Sequence, residues 1–307
     1  MKKRIVIMLL CMAIMAILPF ISLKKSVNEP EQHTENARNE FRILDTSSNK
    51  IVNIGEREFC IGAVAYEMPP DFQKEALKAQ CIACYTYFSE MRQNSDKEYD
   101  FSADLSNNEF YIKDLSDESR KKISQAVDEV FKKVLTDKNG NMIKVAYHAI
   151  SSGQTESAKD IFGFESEYLQ PVSSAGDVNV SGYLSQKEIS SKRFKEIMLS
   201  KNIKLDDEPD TWIGDIERTQ SGTVKSIQIG DKNISGADMR EMFSLRSANF
   251  DISYSNNKFI LLVYGYGHGV GMSQYGAESM AEQGASYEEI IHHYYGNCNI
   301  EKIDSRL

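Results

Sequence analysis

The 307-residue chain carries a net charge of −9, which argues against a nucleic-acid partner, because a polyanion would have to find a local basic groove against the overall field. Its length suits one large domain or two small ones behind a short N-terminal segment. Lys2, Lys3 and Arg4 precede an uncharged, mostly apolar run from Ile5 to Leu23, closed by Lys24 and Lys25. As a helix that run spans about 28 Å, close to the hydrocarbon thickness of a bilayer. A cleaved signal peptide competes with a retained anchor, but its apolar region is usually shorter and an Ala-x-Ala-like site should follow. The run ends Phe20-Ile-Ser-Leu-Lys24 without one. The sequence therefore predicts a cytoplasmic tip (residues 1–4), a single-pass transmembrane anchor (5–23) in the cell membrane, and an extracytoplasmic remainder, since basic residues stay on the cytoplasmic side. Residues 24–44 are polar and charged and read as a linker.

The folded part, 45–307, shows mixed patterns. Lys50–Ile54 and Phe59–Tyr66 read as strands around the turn Gly55-Glu56-Arg57. A helix follows from about Pro70 to Arg92, and residues 94–114 are polar and irregular. Ile123, Ala126, Val127, Val130, Phe131, Val134 and Leu135 lie at helical spacing, with Ser116 as the cap. Asp137-Lys-Asn-Gly140 turns the chain into a strand from Met142 to Ile150, and a Ser- and Gly-rich loop, Ser151 to Thr155, comes next. Ser185 to Glu188 has the spacing of a capping box that starts a helix. Two hairpins follow, Thr211–Thr219 with Thr223–Ile229 and Asn249–Tyr254 with Lys258–Tyr264. Helices near 273–283 and 286–294 complete the chain. Strand pairs and helices do not alternate strictly, so the fold class is α+β, here a single extracytoplasmic domain with a cleft.

Five cysteines are present. Cys11 lies in the anchor; Cys60, Cys81, Cys84 and Cys298 lie where disulfides are permitted. Cys81-x-x-Cys84 invites a metal or redox reading. The pair falls inside a helical pattern, however, and Cys84 shares a stripe with Phe72, Ala76, Ala83, Tyr87 and Met91, so both read as buried thiols.

The segment Gly265-Tyr-Gly-His-Gly-Val-Gly-Met-Ser-Gln-Tyr-Gly-Ala277 follows an apolar strand. Alternating glycine is poor strand material. The spacing calls for tight turns or close approach of the backbone to something else, with His268 held in a bare loop and Ser273 capping the next helix. A sharp corner without ligand is the simpler alternative. No dinucleotide fingerprint or phosphate loop is present. A second candidate is Glu67, at the end of the apolar run Phe59–Tyr66 and before Met68-Pro69-Pro70. Burial disfavours the ionised carboxyl, so such a group can stay protonated near neutral pH and donate its proton. The alternative is an ordinary carboxylate at a helix start, stabilised as the anion by the dipole ahead of it.

These motifs carry a resemblance. Val64-Ala-Tyr-Glu67-Met-Pro with Glu75-Ala-Leu-Lys78-Ala-Gln80, then Ala146-Tyr-His148 with Ser151-Ser-Gly-Gln-Thr155, then Trp212 onward with Leu245-Arg-Ser-Ala-Asn249 and Gly265–Ala277, resemble the stage II sporulation protein D (SpoIID) family in family order over residues 45 to 297. The resemblance implies a membrane-anchored lytic transglycosylase of endospore formers, acting on peptidoglycan glycan strands during engulfment of the forespore. It implies a partner peptidoglycan amidase (SpoIIP-like) and a multi-spanning membrane scaffold (SpoIIM-like). It also implies Glu67 as the catalytic acid, Lys78 lining the cleft, and His148, Ser151, Ser152, His268, Ser273 and Gln274 on the substrate side. The family usually has Ala-x-Ala-Ala-Arg-Thr after Gln80; here Tyr85 stands in place of the arginine, and Cys81 and Cys84 stand where alanine is common. Some members bind zinc through Cys and His near the central motif. This chain has Ala149-Ile150 there, so no metal and no cofactor are expected.

The implied mechanism needs one carboxyl group, because the sugar's own 6-hydroxyl replaces the water for which hydrolases typically keep a second carboxylate. Family members prefer strands stripped of stem peptides, which reconciles an acidic protein with an anionic wall. A non-catalytic glycan-binding amidase enhancer is the second reading, in which Glu67 only hydrogen-bonds a sugar. Metal-dependent hydrolysis through His148, His268, His292 and His293 is a third, though adjacent histidines on a helix point to different faces and no dedicated ligand spacing is present.

Overall fold

The computed structural model describes residues 39–105 and 115–303. The expected anchor and cytoplasmic tip lie outside the described residues, as does most of the linker. Among the described residues no helix is long and apolar enough to cross a membrane. An antiparallel pair opens the structure, β1 (Glu40–Asp45) and β2 (Lys50–Gly55), with β3 (Phe101–Ala103) parallel to β1 on its other side. Between β2 and β3 run α1 (Glu56–Glu67) and α2 (Lys74–Gln93); α3 (Asp117–Val130) and β4 (Lys133–Thr136) follow. Next come β5 (Tyr147–His148), the short α4 (Ala158–Phe162) and a 3-10 turn, Ala175–Asn179. The following stretch holds β6 (Leu184–Ser190), α5 (Ser191–Ser200), β7 (Ile213–Arg218), β8 (Val224–Ile229), β9 (Lys232–Ser235) and α6 (Gly236–Phe243). β10 (Phe250–Ser255), β11 (Lys258–Tyr264), β12 (Met272–Ser273), α7 (Gln274–Glu282), α8 (Tyr287–Tyr295) and β13 (Asn299–Lys302) complete it. The class is α+β, as the patterns predict.

Two apolar cores form. One gathers α1, α2, α3, α7 and α8 around residues such as Phe41, Leu77, Ile82, Ile123, Ile290 and Tyr295. The other fills the space between α5, α6 and the strands β6 to β11, where Phe194 stacks with Trp212, Phe243 and Phe259. A small cluster of Ala149, Ile150 and Tyr266 lies apart from both, and Tyr275 packs against it as well as against the first core.

Four expectations need correction. Phe59–Tyr66 is not a strand; it lies in α1, which buries Phe59, Cys60, Ile61, Val64 and Ala65. A short apolar run does not by itself separate helix from strand, and Glu56 and Glu58 in the first turn favour the helix through its dipole. α1 ends because Met68 precedes Pro69 and is driven to extended backbone, φ −123°, ψ 144°. The helical pattern through Leu135 stops at Val130; Val134 and Leu135 belong to β4, paired antiparallel with the distant β13. Ser185 to Glu188 is no helix start. It lies in β6, paired with β11, and α5 is capped instead by Ser190, whose side chain accepts from the Arg193 N–H. Of the expected strand Met142–Ile150, only Tyr147–His148 forms a ladder, while Met142 and Ile150 make isolated bridges. Strand partners far along the sequence decide the last three cases. The Ser116 cap, both hairpins and the two C-terminal helices are as expected.

Tyr85, the residue in place of the usual arginine, donates to Glu56 Oε2 at 2.9 Å, and Arg92 pairs with Glu56 Oε1 at 2.6 Å while lying 4.7 Å from the centre of the Phe41 ring. Both partners of that ion pair are nearly inaccessible, at 11% and 3% exposure. Removing one side leaves an uncompensated buried charge. Arg92→Ala is therefore expected to cost about 3–5 kcal/mol in urea unfolding, and the double change Glu56→Gln/Arg92→Leu to recover most of that loss. Equal cost in the single and double variants would refute this account.

Candidate active site

Glu67 is the last residue of α1. The alternative of a carboxylate stabilised at a helix start does not hold, because Glu67 lies at the opposite end, where the dipole disfavours the anion. Two side chains reach it, both at the outer limit of hydrogen bonding. Tyr147 OH is 3.5 Å from Oε1 and Gln274 Nε2 is 3.5 Å from Oε2. Such long contacts are weak. Burial pushes the carboxyl up from 4.5 to about 7, and the two donors offset this only in part. No neighbouring carboxylate contributes to the shift.

The donors are themselves aligned. Gln80 Nε2 donates to Cys84 Sγ at 3.1 Å, the Cys84 thiol donates to Tyr147 OH at 3.5 Å, and the Tyr147 hydroxyl then points its proton at Glu67. Gln274 Nε2 is also 3.4 Å from Gln80 Oε1. Burial raises the Cys84 and Tyr147 pKa values, so both stay protonated and can serve as donors. Cys81 and Cys84 are buried free thiols, and Cys60 sits against Cys81 with its own pKa raised. Cys84 nevertheless has a place in this chain of contacts, which a purely space-filling thiol would not.

The other expected site residues divide into groups. Lys78 is buried on a different face of α2 from Gln80 and pairs with Glu75 and Glu129, each at 2.6 Å, below the Tyr287 ring; residues two apart on a helix lie about 200° apart. Lys78 is thus engaged with Glu75 and Glu129, whereas Gln80 touches Cys84 and Gln274 beside the Glu67 site. Ser273 caps α7 by accepting from the Gly276 N–H at 3.2 Å and donates to Asp177 Oδ1 at 2.9 Å. Ser151 offers its N–H to Asp177 Oδ2 at 2.8 Å. Asp177, fully buried in the 3-10 turn, fastens the central loop to the start of α7. Ser151, Ser152 and His268 line a small polar pocket with Gln154, Glu156 and Asn249, and Glu67 is not part of it. Ser152 Oγ donates to the Ser221 carbonyl at 3.2 Å.

His148 and His268 lie with ring centres 5.8 Å apart. His148 Nδ1 is 3.1 Å from the Val270 carbonyl, which can only accept, so the proton of the neutral ring sits on Nδ1. His268 Nδ1 accepts from the Val270 N–H at 3.0 Å. Burial lowers both, His148 to about 4, so the pair is neutral. His292 and His293 are engaged elsewhere, with backbone carbonyls of Gly296 and Ser173. Among the described residues no group of three or more His, Cys, Asp or Glu side chains could hold a metal ion.

The Gly265–Gly271 loop packs closely on the protein's own central segment. Its Gly265, Tyr266 and Gly267 N–H groups donate to the carbonyls of Tyr183, Ile150 and Arg246, and its Val270 N–H donates to His268 Nδ1. At Gly271, φ is +72° and a Cβ would lie 2.0 Å from the Ala146 carbonyl oxygen. At Gly269, φ is +83° and a Cβ would lie 2.9 Å from Glu156 Cγ. The glycines permit close approach, as the spacing predicts, but to the protein's own central segment. Sequence reasoning missed Gln80, Tyr147, Cys84 and Asp177 as site residues. Gln80 and Tyr147 stood inside the quoted motifs, whereas Asp177, in a polar stretch, carried no signal.

The geometry implies a stability cost with a definite sign. Between pH 4.5 and about 7 the folded chain keeps a proton on Glu67 that the unfolded chain has lost, so this group's contribution falls as pH rises through that window. Glu67→Gln should be more stable than the unaltered chain above about pH 7, by about 1–3 kcal/mol, with the difference fading toward pH 4.5. Urea unfolding across that range tests it; a pH-independent difference would remove the elevated carboxyl from the account.

The comparisons with known proteins follow the same chain. The family model described as "Stage II sporulation protein" (SpoIID) matches residues 45–136. A stage II sporulation protein D from Bacillus amyloliquefaciens is 35% identical over 279 residues, 86% of this chain and 79% of that protein. The one from Bacillus subtilis (strain 168) is 31% identical over 279 residues, 86% of this chain and 80% of that protein. An "Amidase enhancer" of Bacillus subtilis (strain 168) is 25% identical over 287 residues, 76% of this chain and 39% of that protein.

Proposed function

The chain belongs to the stage II sporulation protein D family, and from that premise we propose that it is a peptidoglycan lytic transglycosylase that uses Glu67 as its single acid and base. The observation that carries this reading is a lone carboxyl, raised to about 7, with no carboxylate partner acting on it. Hydrolytic glycosidases generally keep two carboxylates across the scissile bond. A lytic transglycosylase needs one. Protonated Glu67 donates to the glycosidic oxygen as the bond to C1 of the muramic acid residue breaks. The 6-hydroxyl of that same residue attacks C1, and the Glu67 carboxylate takes the hydroxyl proton. The product is a 1,6-anhydro end, and the acid is restored. The nucleophile is already part of the substrate, so little further positioning is required. Tyr147 and Gln274 orient the carboxyl while leaving its proton available, since neither contact is short.

The proposed setting is engulfment of the forespore, with the chain held in the cell membrane by residues 5–23, its domain outside, and a peptidoglycan amidase and a membrane scaffold as partners. Family membership and the basic-apolar-basic N-terminus support this setting. Alkaline washing of membranes should leave the full-length chain in the pellet; a mature N-terminus near residue 25 would instead mean cleavage.

A second reading, a glycan-binding amidase enhancer without catalysis, is favoured by the similarity to the amidase enhancer. One variant separates the two. Glu67→Gln keeps shape and hydrogen-bonding capacity but has no acidic proton, so cleavage of purified glycan should fall by about 10²–10⁴-fold while glycan binding survives. In the unaltered chain the rate should decline as pH rises through about 7, because the acid form is lost there. Mass analysis of products is the check: anhydro ends support the transglycosylase, reducing ends a hydrolase. Near-normal cleavage by a folded Gln variant would exclude Glu67.

A further inference from the structure

Arg240 and Arg246 stand out among the cations of this chain. Both are half-buried, and burial lowers the pKa of each guanidinium group, though an arginine stays charged in proteins. Three other shielded cations are matched by acids: Arg92 by Glu56, Lys78 by Glu75 and Glu129, Arg218 by Asp251. Among the described residues neither Arg240 nor Arg246 has a carboxylate partner or a side-chain hydrogen bond. Taking a charge partly out of water without a partner is costly. In a protein of net charge −9, with acids plentiful, that arrangement calls for an occupant from outside.

The two guanidinium groups share a neighbourhood. Arg246 stacks on the Tyr266 ring at 4.3 Å, and both arginines act electrostatically on the Tyr266 hydroxyl. That hydroxyl is buried and has no hydrogen-bond partner, although Tyr266 is only 5% exposed. The Arg246 guanidinium lies over Gly182, where a Cβ would stand 2.9 Å from Nη1. Gly182 thus leaves the planar group its place. Arg246 also acts on Tyr275, and Tyr275 packs on Phe72 at 4.9 Å. Tyr275 directly follows Gln274, which touches Glu67. The cationic cluster is therefore joined to the Glu67 carboxyl through two consecutive residues at the start of α7.

We propose that Arg246, backed by Arg240 and the Tyr266 hydroxyl, binds a carboxylate carried by the glycan strand, and that this carboxylate is the lactyl group of muramic acid once its stem peptide has been removed. The inference rests on the glycan reading of the Glu67 site. A planar guanidinium matches a carboxylate through two parallel N–H donors. On a strand that still bears peptides the lactyl carbonyl is an amide without charge, so Arg246 distinguishes stripped from substituted sugars at the atom the amidase exposes. It is a specificity-determining group and takes no part in proton transfer.

The test uses full-length Glu67→Gln protein in detergent, so that binding is read without cleavage. Three probes are compared: stripped glycan strands, the same strands with lactyl carboxylates coupled to methylamine, and strands that keep their stem peptides. Stripped strands should bind about 10- to 100-fold more tightly than the amidated ones, the range for a charge-assisted hydrogen bond to arginine. Adding Arg246→Gln should bring both to the weaker level, and Arg246→Lys should recover part of the preference. Equal binding of stripped and amidated strands overturns the proposal while leaving the glycan reading intact. Tighter binding of peptide-bearing strands moves the carboxylate to the stem peptide and overturns the lactyl assignment. Failure to bind any strand sinks the glycan reading itself. The comparison of stripped with amidated strands needs no arginine variant, so it stands even where Arg246→Gln does not fold.

Discussion

A parallel ladder of two residues on each side places both groups that touch Glu67. Tyr147 pairs with Met272 and His148 with Ser273. Tyr147 carries one of the two groups that touch Glu67, and Gln274, directly after Ser273, carries the other. The ladder exists because Gly271 lets the chain pass against the Ala146 carbonyl, where a side chain would collide. Asp177 closes the arrangement from behind, taking the Ser151 N–H on one oxygen and the Ser273 hydroxyl on the other. His148 and His268, neutral through burial, bond to the carbonyl and the N–H of Val270 respectively.

The weakness of the two contacts to Glu67 is itself informative. Short hydrogen bonds from Tyr147 and Gln274 would hold the carboxylate ionised and remove the proton an acid needs. At 3.5 Å they set direction and give little energy. A group kept protonated near neutrality by burial costs the fold stability, which is a familiar exchange at sites that do proton transfer.

Much of this was legible in the sequence because the relevant signals are local. The Ser273 cap, the glycine spacing and the capping of the helix after residue 116 are set by neighbours within a few positions. The burial that raises the Glu67 carboxyl is legible in the apolar run before it, although that run forms a helix rather than the expected strand. An eight-residue apolar run fits strand or helix, and only Pro69 marks where it must stop. Lys78 and Gln80 show the limit more clearly. Both stand in one motif, but helical rotation sends them to different faces, and linear proximity does not say which face meets Glu67. Asp177 was not legible at all, since an acid in a polar loop looks the same whether it is solvated or clamped between two distant segments.

Net charge and local charge then have to be kept apart. A chain of −9 should repel an anionic wall at long range, yet long-range repulsion is screened within about 8 Å at physiological salt. At contact, the groups that face the strand decide. Some acids of this protein are spent on its own shielded cations, as with Glu75 and Glu129 around Lys78 and Glu56 around Arg92. Arg240 and Arg246 are left without such partners. An overall acidic surface with one shielded, unmatched cationic cluster favours a ligand whose charge is sparse and placed at a fixed distance from the scissile bond. A densely charged strand would meet the repulsive field along its whole length, whereas one carboxylate per disaccharide meets it only once before reaching the cluster. On the proposed glycan reading, selectivity for stripped strands comes from the contrast between field and site, without any contact dedicated to rejecting peptides.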